Sequence, residues 1–364
     1  MKRCLFIFHS VGGGAETVAC TLASHLDRDA FSPVIASMRY LPELLTHIPG
    51  DMRVIMPRNN STAQWIKNCF AVWKAARESD AVIGTVELQS IFFAALFAQG
   101  KAIGWLHKDL GPYFAMRRPA YRTVYRAALN WAAGRCRHVV CVSDGVAERC
   151  NRIAPASRGK IRFMLNPIDT ESVRAKSKES LPEILEQCFT KPVILGVGRL
   201  ASEKAFHLLI KAHALLLERG IDHNLCILGE GPERPFLTAA AGEHGVAASF
   251  FLPGSMNPFP AMKRAVALGM SSAFEGLPTV IIESMALGLP VVSMDCPSGP
   301  RFLLDEGRCG VLTPEGDARA LADGLQTMFE STSRERYAAA ALERAAMFSL
   351  LAAVEAWERL LEQD

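Results

Sequence analysis

The 364-residue chain has ten cysteines but no Cys-x-x-Cys pair. That scatter fits neither a zinc site nor a secreted disulfide framework, and reduced, mostly buried thiols are expected. Long apolar runs are also missing. The most apolar later stretch, residues 91–98, is far short of the ~20 residues a membrane span requires. Residues 1–8 carry a Lys-Arg start and a short apolar run, but Gly12, Gly13 and Gly14 follow at once without a small-residue cleavage site, so a first strand is expected rather than a signal peptide. Charge of one sign is scarce as well. A net charge of +3 gives no argument for a nucleic-acid partner. The expectation is a cytoplasmic protein.

What is present is ample apolar residue, 50% of the chain, and a length that suggests two domains. Short apolar runs at 4–8, 33–37, 81–84, 102–106 and 139–142, then at 193–197, 224–228, 249–252, 266–270 and 290–294, alternate with helical patterns. Strand-helix alternation means an α/β fold with parallel sheets. A polar, Lys/Glu-rich stretch with Pro167, Pro182 and Pro192 separates the two series. The expected division is a first domain over 1–170, a linker over 171–192, a second domain over 193–340 and a tail over 341–364. The tail pattern runs from Arg334 to Glu362 as one helix, with Leu342, Ala345, Leu351, Val354, Trp357 and Leu361 three or more residues apart. Periodicity leaves open which domain it packs on. A ligand is expected in the cleft between the domains, at the carboxyl ends of the strands.

The most telling stretch is FEGLPTVIIESMALGLPVVSMDCPSG, where Glu283 is the sole charged residue between Gly276 and Met294. A helix apolar on all sides is a buried helix. A carboxylate in it must reach solvent or a polar partner, because unpaired burial costs roughly several kcal/mol. Gly276, Leu277 and Pro278 make a tight turn into the helix, and Gly288 with Pro290 stop it. Glu275 then precedes the helix, and Glu283 lies in its second turn. Free backbone N–H groups from Gly276 to Thr279, with the positive end of the helix dipole, suit a ligand bearing hydroxyls and phosphates. One loop carboxylate plus one solvent-facing helix carboxylate is the plainer alternative.

Other motifs bear on that choice. In GVGRLASEK, Arg199 and Lys204 follow a glycine turn at a strand end, and two such cations can neutralise a diphosphate. The segment also matches the loose Gly-x-Gly-x-x-Ala fingerprint at Gly196, Gly198 and Ala201, which an ordinary strand-to-helix turn satisfies equally. Glu230 ends the next strand, where a ribose-binding acid would sit, so a nicotinamide reading stays open. It belongs to a second glycine turn, LGEGPER, and Pro253 to a third, LPGSMNP. In HSVGGGAET, Gly13 and Gly14 would let phosphate or sugar approach backbone N–H groups, or simply form a tight turn. His107 follows the strand at 102–106, either entering the cleft or lying on the surface. Asp27-Arg28-Asp29 has the form of a metal-carrying Asp-x-Asp, but follows an Ala-rich helix and reads as a solvated turn. From 113 to 137, Arg117, Arg118, Arg122, Arg126, Arg135 and Arg137 interleave with Tyr113, Phe114, Tyr121, Tyr125 and Trp131 without an acidic residue. That fits docking on anionic lipid, holding a phosphate-bearing acceptor, or a solvated helix face.

Taken together, GGGAE, GVGRLASEK, GEGP, FLPGSMNPFPAMKRA, the FEGLP to DCPSGP stretch and its Glu-x7-Glu spacing resemble family 4 retaining glycosyltransferases of the GT-B fold, two Rossmann-like domains facing a central cleft. The resemblance covers nearly all the chain. NPFPAMKRA and DCPSGP are most similar to bacterial enzymes building capsule, exopolysaccharide or lipopolysaccharide oligosaccharides, often from UDP-sugars. The resemblance implies that Arg199 and Lys204 hold the diphosphate, Glu283 the ribose, and Glu275 with the Gly276 to Pro278 backbone the donor sugar. It places His107 near the reacting carbon, Gly13 and Gly14 near phosphates and acceptor, and the tail helix back on the first domain. It further implies a nucleotide-sugar co-substrate; fixed cations with helix N–H groups would neutralise its leaving diphosphate without a metal or other cofactor, and the 113–137 patch suggests a lipid-linked acceptor and peripheral membrane association. Two departures stand out. Ala205 replaces the usual glycine after Glu203-Lys204, which matters only if that position needs positive φ, and Val266 and Gly269 replace the common residues in the strand before Glu275. Rival readings are a sugar-nucleotide epimerase of related fold, a non-catalytic carbohydrate or nucleotide binder, and an NAD-dependent dehydrogenase.

Overall fold

The computed structural model describes residues 1–9, 14–85, 88–115 and 117–363. Gly13 lies outside the described residues, as does the side chain of Tyr113. The chain forms two compact units, Met1–Pro167 with Leu350–Asp364, and Ile168–Ser349.

In the first unit the apolar runs become strands β1 (Lys2–Phe8), β2 (Phe31–Ser37), β3 (Arg53–Ile55), β4 (Ala81–Gly84), β5 (Ala102–Leu106), β6 (His138–Cys141) and β7 (Ile161–Phe163). They pair in parallel in the order β3-β2-β1-β4-β5-β6-β7. The central strands are buried on both faces, as a parallel sheet covered by helices requires. Those helices are α1 (Gly14–His25), α2 (Thr62–Glu78), α3 (Leu88–Phe97), α4 (Leu110–Ala115), α5 (Pro119–Arg135) and α6 (Asp144–Ile153). Ser61 starts α2 and Ser143 starts α6, each hydroxyl accepting from a backbone N–H three residues on.

The second unit has α7 (Thr170–Lys176), α8 (Glu183–Glu186), β8 (Val193–Val197), α9 (Phe206–Glu218), β9 (Asn224–Leu228), α10 (Arg234–Glu243), β10 (Phe250–Gly254), α11 (Phe259–Arg264), β11 (Ala267–Met270), α12 (Thr279–Ala286), β12 (Val291–Met294), α13 (Pro300–Leu303), β13 (Val311–Thr313), α14 (Ala318–Thr327) and α15 (Ser331–Ala345). Its parallel sheet runs β10-β9-β8-β11-β12-β13. In each sheet the strand order reverses beside the first strand, and the carboxyl ends at that reversal form the crevice where doubly wound sheets take ligands.

Several expectations change. The polar stretch at 171–192 is not an open connection: Asp169 caps α7, Arg174 Nε donates to Ala286 O at 3.2 Å, and Asn224 Nδ2 donates to Cys188 O at 2.8 Å, tying the segment to the second unit. The tail is two helices. The chain turns after Ala345 at the buried Phe348 and resumes as α16 (Leu350–Glu362) in the first unit. There Trp357 meets Trp105 with ring centres 4.4 Å apart, Asp27 N donates to Glu358 Oε1 at 2.7 Å, and Lys2 Nζ donates to Glu362 O at 2.9 Å. Taken together, Ser331–Glu362 are long and apolar enough for a membrane span by length and composition alone. The break divides that length, and the burial of Val354, Trp357, Leu360 and Leu361 is the pattern of a helix packed along one face.

Among the described aromatic residues at 113–137, Tyr121 is exposed and two others are engaged within the unit. Trp131 stacks on Phe92 at 4.8 Å under Arg135, and Phe114 is buried edge-on to Tyr125.

Candidate active site

β8 and β11 are neighbours at the reversal point of the second sheet, and the loops leaving them carry the polar residues singled out by sequence. Lys204, in a 3-10 turn over Ser202–Lys204, and Glu275, in the loop before α12, meet with Nζ and Oε1 2.6 Å apart. Both side chains are mostly covered. Ser272 Oγ donates to the same carboxylate oxygen at 2.7 Å, and Ser271 Oγ donates to Lys204 O at 2.9 Å. Ala273 N donates to Glu203 O at 2.9 Å, so the two loops are laced by backbone as well. Ser271, Ser272 and Glu203 were not singled out by sequence; two serines directly after an apolar strand were the available signal.

Arg199 lies half exposed on the same loop, in an ion pair with Glu203. The adjoining turn after β9 holds that loop: Gly198 N donates to Leu228 O at 3.0 Å and Leu200 N to Glu230 O at 2.8 Å. A Cβ at Gly229 would sit 1.9 Å from Gly198 O, so glycine is required for the approach. GEGP therefore acts first as the support of the Arg199 loop. The Glu230 side chain turns aside to Arg234 at 2.6 Å, which depresses its carboxyl pKa, and Arg234 also donates to Leu252 O at 2.8 Å. Pro253 is not in a turn after the strand but within β10, where the pairing register shifts, since proline brings no N–H to the ladder.

Ala205 has φ +45° and ψ +38°, so the position does need the left-handed region. An L-residue with a Cβ pays roughly 1–2 kcal/mol there.

Gly276, Leu277 and Pro278 are buried, and Thr279 opens α12 with no side-chain cap on its first N–H groups. A Cβ at Gly299, in the loop after β12, would lie 2.6 Å from Pro278 Cδ, so that loop braces the turn. Cys296, on the same loop, is buried; burial and the nearby Glu275 carboxylate push its thiol pKa up, leaving it protonated. In α12, Val280, Ile281, Ile282, Met285 and Ala286 are all buried. Glu283 is partly covered among them, and burial pushes its carboxyl pKa up to about 7 against the opposing pull of a Thr279 hydrogen bond and Lys176 on α7.

In the first unit, Gly14 begins α1 and His107 follows β5. His107 is 6% exposed, its ring 4.5 Å from Trp105, and its Nε2 has no hydrogen-bond partner among the described residues. Burial, then the charge of Lys108, pull its pKa down to about 3, so the imidazole is neutral and can offer or take one hydrogen bond.

Comparison with known proteins bears on what such loops do. The model described as glycosyl transferases group 1 matches residues 177–344, and the model described as glycosyltransferase family 4 matches residues 12–172. An N-acetylgalactosamine-N,N'-diacetylbacillosaminyl-diphospho-undecaprenol 4-alpha-N-acetylgalactosaminyltransferase of Campylobacter jejuni is 35% identical over 191 residues, 52% of this chain and 50% of its own length. The lipopolysaccharide core biosynthesis glycosyltransferase LpsE of Rhizobium meliloti is 32% identical over 226 residues, 61% of this chain and 63% of its own. The matches thus span about half to three-fifths of these curated relatives. Among solved structures, Anabaena HepE in complex with UDP-glucose superposes with a TM-score of 0.83 at 20% identity, covering 99% of both chains. That likeness, shared with the lipopolysaccharide enzyme WaaG at a TM-score of 0.77, identifies the architecture as GT-B.

Proposed function

We propose that this chain, which belongs to the group 1 and family 4 glycosyltransferases, moves a hexose or N-acetylhexosamine from a UDP-sugar to a growing, lipid-linked surface glycan. The observation that carries the reading is the convergence of Lys204, Arg199 and Glu275 at the β8/β11 reversal, one helix from Glu283. Lys204 has three N–H donors, so it can contact a diphosphate while keeping Glu275 as its second partner. With Arg199 and the uncapped N–H groups of α12, it stabilises charge on the departing diphosphate, which is the main demand of the reaction. Glu275 and the Gly276 to Pro278 backbone face the donor sugar, and Glu283 takes the ribose hydroxyls. In the first unit His107, neutral and with Nε2 unsatisfied among the described residues, has one hydrogen bond to offer a ligand.

In the retaining step, the acceptor oxygen bonds to the anomeric carbon from the leaving group's own face. The bond from that carbon to the phosphate oxygen breaks, and the acceptor proton passes to that oxygen. Fixed cations do the neutralising, so no metal is required, and chelator should leave the rate unchanged. UDP is the donor class because HepE binds UDP-glucose, and the lipid-linked acceptor follows the diphospho-undecaprenol in the Campylobacter relative's name. The reaction belongs at the cytoplasmic face of a membrane.

The test is release of UDP from a panel of UDP-hexoses and UDP-N-acetylhexosamines, with and without undecaprenyl-diphosphate-linked oligosaccharides. Release that depends on acceptor supports the reading. Conversion of a UDP-sugar to its epimer without acceptor, or nucleotide binding with no turnover on any acceptor, would overturn it.

A further inference from the structure

We infer that α2 is a membrane-docking helix that seats the first unit on an anionic lipid bilayer. The helix is two-sided. Asn68, Val72, Ala75 and Ala76 face the interior, and Asn68 Nδ2 donates to Ser37 O at 2.7 Å to fix that side. The other side leaves large apolar residues uncovered: Trp65 is 41% exposed, Ile66 58%, Phe70 65% and Trp73 38%. At 100° per residue Ile66, Phe70 and Trp73 fall in one stripe about 60° wide, and Trp65 is exposed in the first turn to one side of it. Phe70 and Trp73 lie 5.5 Å apart, with the Arg77 guanidinium 5.4 Å from the Trp73 ring. Isolated exposed apolar residues need no explanation, whereas three on one helix face with a fourth beside them mark a contact surface.

Charge identifies the occupant. α2 carries Lys67, Lys74 and Arg77 against one acid, Glu78 at its last position, and Arg53 and Arg58 precede it. At helical spacing Lys67 and Lys74 flank the stripe, and Arg77 extends it. Two tryptophans, a phenylalanine and an isoleucine beside a rim of Lys67, Lys74 and Arg77, whose one acid, Glu78, is paired with Arg3 at 3.2 Å, match the interface of a bilayer with acidic headgroups, where indole rings settle at headgroup depth. α2 packs on α3, where Leu96 is exposed, and α3 packs on α5. Around α5, Arg118 at its N-cap and Arg126 are exposed and can add attraction, and Tyr121 and Val124 are exposed too, while Phe114 and Trp131 are engaged inside the unit. α5 therefore offers charge with one exposed aromatic and one valine, and α2 offers charge with two tryptophans, a phenylalanine and an isoleucine.

The experiment is vesicle flotation of the full chain with phosphatidylcholine alone and with added phosphatidylglycerol, at low and high salt. The variants are Ile66→Ser/Phe70→Ser, Lys67→Glu/Lys74→Glu, and, as comparison, Arg118→Glu/Arg126→Glu. UDP affinity in solution, measured alongside, reports that each variant is folded and separates failure of this inference from failure of the donor assignment. The expected result is flotation with the acidic vesicles only, weakened by salt, and reduced at least tenfold by either α2 variant with UDP affinity unchanged. Tryptophan emission should shift to the blue on adding acidic vesicles, and the shift should be lost in Trp65→Phe/Trp73→Phe. No flotation with acidic vesicles would overturn the inference. So would flotation that only the α5 variant abolishes, or a vesicle-independent dimer that the Ile66→Ser/Phe70→Ser variant dissolves, which would make a second copy the occupant.

Discussion

Glu275 and Glu283 lie on either side of one helix start, yet they are held in opposite ways. Glu275 is neutralised by Lys204 and bonded by Ser272, so its charge belongs to a network. Glu283 sits on a helix whose other faces are packed, with only a Thr279 hydrogen bond and the field of Lys176 against its desolvation. The same residue type thus becomes a fixed charge partner in one place and a carboxyl that titrates near neutrality in the other. Position on the sheet makes the difference: Glu275 is at the carboxyl end of a strand where a second loop delivers a cation, and Glu283 is a helix turn further on.

The strongest way to break this contrast is Lys204→Ala, which removes the cation and leaves Glu275 without its ion-pair partner. Turnover should fall ~100- to 1000-fold, as for loss of a group acting on transition-state charge. Steady-state rates check it, and a near-normal rate would remove Lys204 from the chemistry. Glu283→Ala should act mainly on donor binding, weakening UDP-sugar affinity by ~1.5–3 kcal/mol for a lost charged hydrogen bond. A change confined to turnover, with affinity intact, would reverse the two roles.

Glu283→Gln sharpens the contrast through pH. The folded carboxyl, pushed up to about 7, keeps its proton where the unfolded chain, near 4.5, has lost it. Stability therefore falls as pH rises through that window, and the full cost is present above it. Denaturant unfolding should show the Gln variant more stable at pH 8 by on the order of 2 kcal/mol, with the gain vanishing toward pH 4. A constant difference across pH would mean that Glu283 titrates normally. The smallest effect concerns the loop under Lys204. Ala205→Gly should raise stability by about 1 kcal/mol by relieving the left-handed alanine, minus the entropy glycine adds to the unfolded chain.

Much of this was legible in the sequence, and the parts that were not share physical causes. The central strands announce themselves because burial on both faces demands continuous apolar runs. The strands that periodicity passed over, β3, β7 and β13, are the short outer members of their sheets. Paired on one side only, they tolerate Arg53 and Arg162 and show no apolar run. The break between α15 and α16 has no glycine or proline to mark it, and the buried Phe348 lies within it. The residue types of the site were visible because strand ends with glycine turns, cations and isolated carboxylates are local patterns. Their pairing was not. That Lys204 would meet Glu275 and that Glu230 would turn to Arg234 depends on which loops the sheet order makes neighbours. The demand for positive φ at Ala205 was likewise hidden, since alanine carries no sign of it.

The central claim is that the loops after β8 and β11, with α12, hold a nucleoside diphosphate. Calorimetric titration of the purified chain with UDP, alongside Lys204→Ala and Glu283→Ala, tests it most directly. The account predicts saturable binding by the parent chain, weakened at least tenfold in each variant. Equal affinity in all three, or no binding of UDP where NAD binds, would contradict it.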